Sequence, residues 1–387
     1  MTGDKSPKKI RRRLARIIGS LLSLAALTYV SVSLISGRGL SIAWLSDLFP
    51  SRETTKMAEE FSFDVGRDRS FADLDGSLAA VGTLGVQVLD MGGDETLRDT
   101  FRMSRPAISA ANGLGIAFDI GGTDVRVFNK TKITSSFVAS SEVVSASINQ
   151  NGWFCVCTKG SGGYKGVATV YTDKGNPYYS VSLSSGYILS AALSPDNKSL
   201  AVLNLTDGGS RITFYNNLSS EAADNAFDLP GGLIIDIWYQ TDGKLFAITA
   251  ESLIAVDKSG AYDELYAFPG KRLGAYALSE SFFALHLLDY GVGYGGKLVT
   301  ISTEGILIGD LPTEHELVSI SSGGGYLVAL RNDGISFFDE TLDEHPPAGD
   351  TSVAAGASLV LALKNGTALA AGDHFAIILK PSDTENE

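Results

Sequence analysis

After residue 70 the chain repeats one arrangement of apolar and polar positions about eight times. Each unit opens on small residues, passes a Gly or Asn turn, runs through an apolar strand, turns again and ends near Asp or Asn. The first unit reads Ser70-Phe-Ala-Asp-Leu-Asp-Gly-Ser-Leu-Ala-Ala-Val81 and continues through Gly85-Val-Gln-Val-Leu-Asp90. The seventh is Val318-Ser-Ile-Ser-Ser-Gly-Gly-Gly-Tyr-Leu-Val-Ala-Leu330, followed by Gly334-Ile-Ser-Phe-Phe-Asp339. Val, Ile, Phe and Tyr alternate with Ser, Thr and Ala, the period-two signature of half-buried strands. An all-β repeat of roughly 36–46 residues predicts a β-propeller, with eight blades favoured and seven possible. A β-sandwich of unequal strands is the competing arrangement, and eight alike units argue against it.

Small residues at the start of each unit suit an innermost strand, where blades crowd the axis. Asn332-Asp-Gly334 and Asn365-Gly366 are read as primed hairpin turns, which need left-handed positions. Phe61-Ser-Phe-Asp-Val65 reads as a strand ahead of the first unit, placed to complete the last blade and close the ring.

The front of the chain follows a different pattern. Seven basic residues between Lys5 and Arg16 precede an uncharged run from Ile17 to Gly37, whose 21 residues suffice to span a hydrocarbon core as a helix. The organisation expected is a basic cytoplasmic stub (1–16), a transmembrane helix (17–37), a juxtamembrane linker (38–57), a propeller ectodomain (58–380) and a disordered tail (381–387). Basic flanks stay cytoplasmic, which puts the repeats outside the cell membrane with a single-pass topology. A cleaved signal peptide is the rival reading; its apolar core is shorter, about 7–15 residues, and ends on a small-x-small exit that this run lacks. Trp44 in the linker is placed for headgroup depth.

The chain has 31 basic and 44 acidic residues, a formal charge of −13. Since seven of the basic residues precede residue 17, the repeats are more acidic still. Such a domain repels nucleic acid, which is excluded as a partner. Cys155 and Cys157 stand two apart on one strand and read as small buried hydrophobes. His286, His315, His345 and His374 show no ligand spacing, so neither a metal site nor a cofactor is predicted.

Phe118-Asp-Ile-Gly-Gly-Thr-Asp-Val-Arg-Val-Phe128 resembles the phosphate-binding hairpin of the sugar-kinase and actin-like ATPase superfamily. Here it falls at the second unit's middle turn, Asp124 adds a like charge, and no helices follow. A hairpin turn explains Gly121-Gly122 with less.

Candidate recognition residues sit in the longer connections. Lys159-Gly-Ser-Gly-Gly-Tyr-Lys-Gly166 and Asp289-Tyr-Gly-Val-Gly-Tyr-Gly-Gly-Lys297 join second and third strands, and Pro269-Gly-Lys-Arg272 links two units. Tyr164, Tyr187, Lys271, Arg272, Tyr290 and Tyr294 are expected to gather on one face, where tyrosine and arginine bring contact area and directional donors. Asp236, Trp238 and Tyr276 lie in presumed inner strands and are expected to line the central channel. No catalytic residue is assigned.

Ser194-Pro-Asp-Asn-Lys-Ser-Leu-Ala-Val202 is similar to the unit of WD40-like and TolB-like propellers. The whole layout resembles an uncharacterised family of single-pass, membrane-anchored propeller-like proteins from anaerobic Gram-positive bacteria. The resemblance is architectural and carries over no catalytic residue. Trp-Asp endings and sialidase boxes are absent from the sequence. The function expected is a non-enzymatic binding or scaffold module for a protein or cell-wall partner. The alternative is an extracytoplasmic propeller enzyme or binding protein that takes a glycan or small molecule in the channel.

Overall fold

The alternating segments form eight four-stranded antiparallel sheets in a computed structural model. It describes residues 60–382 apart from 221, 292–294, 316, 349–353 and 355. The chain divides into two units, Met1–Thr55 and Lys56–Glu387. The stub, the expected membrane helix and the linker with Trp44 lie outside the described residues, as do 383–387 of the expected tail. Among the described residues no helix is long and apolar enough to cross a membrane.

Seven blades are consecutive four-strand meanders, so each strand pairs with its sequence neighbours and the chain moves outward within a blade. The innermost strands are Ser70–Asp73, Pro106–Ala111, Val143–Ile148, Tyr187–Leu193, Ile234–Tyr239, Lys271–Leu278, Leu317–Gly323 and Leu359–Ala362. Second strands are the most buried; Ser77–Gly82, for example, has no exposed position. That burial on both sides follows from packing blade against blade, and it explains why these strands read as near-continuous apolar runs.

The eighth blade is completed by the chain's first described strand. Glu60–Ser62 pairs antiparallel with Phe375–Leu379, Phe61 opposite Ala376, as the sequence predicts. Phe61 is 1% exposed and packs with Leu78, Leu89, Leu369 and Ala376, so the seam holds residues from both ends of the propeller. Two ion pairs brace the same joint: Arg69 with Asp373 at 2.9 Å, and Lys364 with Asp75.

One turn type recurs at seven of the junctions where a first strand meets a second or a third meets a fourth. Gln240 N–H bonds to Lys244 O while Gly243 N–H bonds to Gln240 O, with Gly243 in the left-handed region at φ +86°. The pattern repeats from Asp90, Asn149, Thr172, Asp257, Ser302 and Leu363. It is a type I turn closed by a glycine bulge. The primed turns expected at Asn332-Asp-Gly334 and Asn365-Gly366 do not form: Asn332, Asp333 and Asn365 lack positive φ, which falls on the glycines alone, Gly334 at +157° and Gly366 at +81°. A bulge supplies the strand twist that a primed turn would otherwise provide.

Candidate functional site

The meander gives the ring two unlike faces. Turns between first and second and between third and fourth strands lie on one side, which we call the turn face. Connections between second and third strands and the links between blades lie on the other, the loop face. Backbone bonds tie these two kinds of loop together: Phe101 N–H to Leu84 O, Lys165 N–H to Leu183 O, and Phe268 N–H to Glu251 O.

Exposed large apolar side chains concentrate on the loop face. Leu84, Val138, Tyr164, Tyr187, Leu233 and Tyr290 are all exposed at strand ends or loops of this side. Tyr290 is 71% and Tyr187 67% exposed. Tyr178, Tyr262, Ile306 and Leu307 are the exceptions on the turn face, where fourth strands begin.

The anticipated patch is distributed around this face. Tyr164 belongs to the third blade and Tyr187 to the start of the fourth, whereas Lys271, Arg272 and Tyr290 belong to the sixth. Among the described residues no hydrogen bond or ring contact joins the two groups, and the fifth blade stands between them with Leu233 and Ile235. Tyr294 lies outside the described residues. Lys271 is paired with its cross-strand partner Asp289. Arg272 is exposed and makes no ion pair among the described residues.

Five consecutive inner strands carry a bulge at the same place. The registers shift between Val143 and Ser145, Ile188 and Ser190, Ile234 and Asp236, Leu273 and Ala275, and Leu317 and Ser319. The skipped residues Ile235 and Val318 are thereby left exposed toward the loop face. Sequence reasoning overlooked them. The signal was present as two successive apolar residues, Ile234-Ile235 or Leu317-Val318, which a strict two-residue alternation does not allow.

The residue after each bulge is Ser145, Ser190, Asp236, Ala275 or Ser319. Asp236 therefore occupies a serine position of the repeat. It lines a channel cavity of about 440 Å³ with Ser145, Ser190, Ala191, Ile237 and Trp238. Asp236 Oδ2 accepts a 2.9 Å hydrogen bond from Tyr276 Oη of the next blade, and Oδ1 accepts one from Ile237 N–H at 2.9 Å. Burial pushes the Asp236 carboxyl above its ordinary range, partly offset by the Tyr276 and Ile237 bonds. Burial, then the neighbouring carboxylate, pushes Tyr276 up as well. Trp238 turns toward Phe246 and Phe283, with ring centroids 6.0 and 5.6 Å away. It is as much a part of the core between blades as of the channel wall.

The kinase-like hairpin has another use for its acid. Asp119 Oδ1 accepts N–H bonds from Ser104 at 2.9 Å and Arg105 at 2.7 Å, fixing the link between the first two blades. A Cβ on Gly122 would fall 2.2 Å from Asp119 Oδ2, so this glycine makes room for that carboxylate. Cys155 and Cys157 are both free and fully buried in the core joining the third and fourth blades. His286 is buried on a second strand, its Nε2 3.3 Å from Thr313 Oγ1. Among the described residues no three His, Cys, Asp or Glu side chains are grouped to hold a metal ion.

The fold has many solved likenesses at low identity. The crystal structure of BamB from Moraxella catarrhalis superposes with a TM-score of 0.55 at 14% identity, covering 84% of this chain and 99% of that one. Saccharomyces cerevisiae Sqt1 gives 0.59 at 13% identity over 84% and 98% of the two chains. AztD of Citrobacter koseri gives 0.51 at 14% over 73% and 86%. At such identities the likeness is one of fold. No curated protein matches the sequence significantly. A sequence family described only as a family of unknown function, DUF5711, matches residues 51–341, three quarters of the chain ending in the seventh blade. With its eight-bladed ring and its apolar loop face, this chain belongs to the DUF5711 family.

Proposed function

We propose that the chain is a membrane-tethered, extracytoplasmic binding or scaffold module that engages a protein or cell-envelope partner through its loop face. The observation that carries this reading is the concentration of exposed apolar side chains on the loop face. Short turns on one side offer little variety of contact, whereas loops of unequal length on the other present Tyr164, Tyr187, Tyr290 and the free guanidinium of Arg272. Apolar and aromatic groups spread over one face of a soluble domain mark interaction surfaces. The tether rests on the sequence: the basic stub and the uncharged run that follows it orient the propeller outward.

The test is cross-linking capture with the tagged full-length protein in its native membranes. A Tyr187→Ala, Tyr290→Ala variant is compared with a turn-face control, Tyr178→Ala with Tyr262→Ala. Loss of a stoichiometric partner in the first variant alone is expected. Retention there with loss in the control would overturn the assignment of the face.

A further inference from the structure

Polar groups also gather in the channel, apart from the exposed side chains of the loop face. Asp236 is a carboxylate in the wall of a cavity, and no Lys, Arg or His among the described residues pairs with it. A carboxylate taken out of water is costly unless a cation meets it. The two hydrogen bonds from Tyr276 Oη and Ile237 N–H satisfy part of its accepting capacity and none of its charge. Ser145 and Ser190, at the equivalent positions of the two preceding blades, line the same cavity, and their buried hydroxyls have no partner among the described residues. The rest of the wall mixes Ala191, Ala192, Ile237 and Trp238 with the polar Ser109, Ser147, Asn149 and Gln150. At the turn-face mouth stand Asp73, Asp75 and Glu280 with a single cation, Lys364, which is already bound to Asp75.

We infer that the channel binds a primary ammonium group on an aliphatic stem, with Asp236 as its counter-ion. The chemistry matches from end to end. An ammonium has three donors and no acceptor, and the inner end of the cavity offers a carboxylate and two hydroxyl oxygens. The stem lies along the apolar part of the wall, Ala191, Ala192 and Ile237. The acidic mouth raises the local concentration of cations and repels anions. A neutral polyol meets the hydroxyls equally well but leaves the charge of Asp236 uncompensated. The ammonium can belong to a free alkylamine or to a lysine side chain presented by a peptide.

The experiment is a saturation-transfer NMR titration of full-length protein in detergent with n-butylamine, n-butanol and Nα-acetyl-lysine amide. Saturable binding of butylamine is expected, with butanol weaker by about tenfold or more. Asp236→Asn and Asp236→Ser, the latter restoring the residue of three other blades, should each weaken butylamine by a similar factor. Tyr276→Phe, which leaves the carboxylate in place, should stay within about threefold of the parent. Equal binding of amine and alcohol by the unaltered protein, no saturable amine binding, or full retention in a folded Asp236 variant would each overturn the inference. Acetyl-lysine amide binding as well as butylamine assigns the site to peptide lysines, and its exclusion while butylamine binds assigns it to free amines. Failure here leaves the loop-face reading standing, since the Asp236 variants do not alter Tyr187 or Tyr290.

Discussion

Tyr276 Oη donates a 2.9 Å hydrogen bond to Asp236 Oδ2 across the boundary between the fifth and sixth blades. Smaller groups do the same work at other boundaries. Ser147 Oγ donates to Ala191 O at 2.7 Å, and Ser319 and Ser321 accept from Val360 and Ala362 N–H at 3.2 and 2.9 Å. Polar side chains on the inner strands thus tie successive blades together. At the fifth-to-sixth joint the tie is a carboxylate and a phenol, flanked by Trp238, Phe246 and Phe283.

Removing the phenol hydroxyl should therefore destabilise the ring. Tyr276→Phe leaves Asp236 short of a donor in a half-buried wall, a loss of about 1–3 kcal/mol. Asp236→Asn removes the charge and keeps an acceptor, so it should cost less. The sign of its pH dependence follows from the raised Asp236 carboxyl. The folded state holds that proton more tightly than the unfolded chain, so this group costs stability as pH rises from the ordinary carboxylate range through the folded value. The cost is absent in acid and complete once pH exceeds the folded value, and Asp236→Asn should improve relative to the parent along the same path. Denaturant midpoints measured across pH check both statements.

The ring is closed by three residues of the first described strand. Phe61→Ala empties a fully buried site on that strand and should cost about 3–5 kcal/mol. Substituting Arg69, whose partner Asp373 is 89% exposed at its side chain, should cost less than 1 kcal/mol. Equilibrium unfolding of the two variants separates apolar closure from ionic bracing. A larger loss for Arg69→Ala than for Phe61→Ala would reverse the order argued here.

Acid should also act through His286. Burial, then the nearby Arg272 charge, holds this imidazole below its ordinary value of 6.5. The unfolded chain takes up the proton first, so stability falls as pH drops from about 6.5 toward the lower folded value. His286→Gln should flatten that part of the stability profile, whatever its effect at pH 8. An unchanged slope between pH 7 and 5 would count against a buried neutral imidazole.

The loop-face tyrosines should be dispensable for folding. Tyr187 and Tyr290 are 67% and 71% exposed, and truncation of such side chains shifts stability by no more than about 0.5 kcal/mol. Thermal melts of Tyr187→Ala and Tyr290→Ala, alone and together, should superpose on the parent. A marked loss would mean that these rings serve packing instead of recognition.

Much of this architecture is legible along the chain because a blade is a local object. Alternation in Gly166–Tyr171 and in Asn225–Pro230 marks strands whose two sides differ, and the glycine of each turn marks where they reverse. Even the closing strand can be read, since Phe61-Ser-Phe-Asp-Val65 alternates without a blade of its own. Turn types are less legible. Asn365-Gly366 fits a primed turn by composition, yet the bulge that follows takes up the left-handed position at Gly366 alone. The site reads only in part: Tyr164 and Tyr187 are found by type and loop length, but Ile235 and Val318 need the register of a neighbouring strand.

The sequence by itself determined the repeat, the second-strand cores, the strand that closes the ring and the sign of the charge on its repeats. These depend on contacts within one meander or on composition, and both are written in consecutive residues. The tertiary structure decided the number of blades, the sorting of loops into two faces, and the meeting of residues one repeat apart. Asp236 and Tyr276 are separated by 40 positions and become partners only when two inner strands stand side by side at the axis. Lys364 and Asp75 are separated by 289, and they meet because the ring returns on itself. Closure is a property of all eight sheets together, set by how much each twists against the next, and no single segment encodes it.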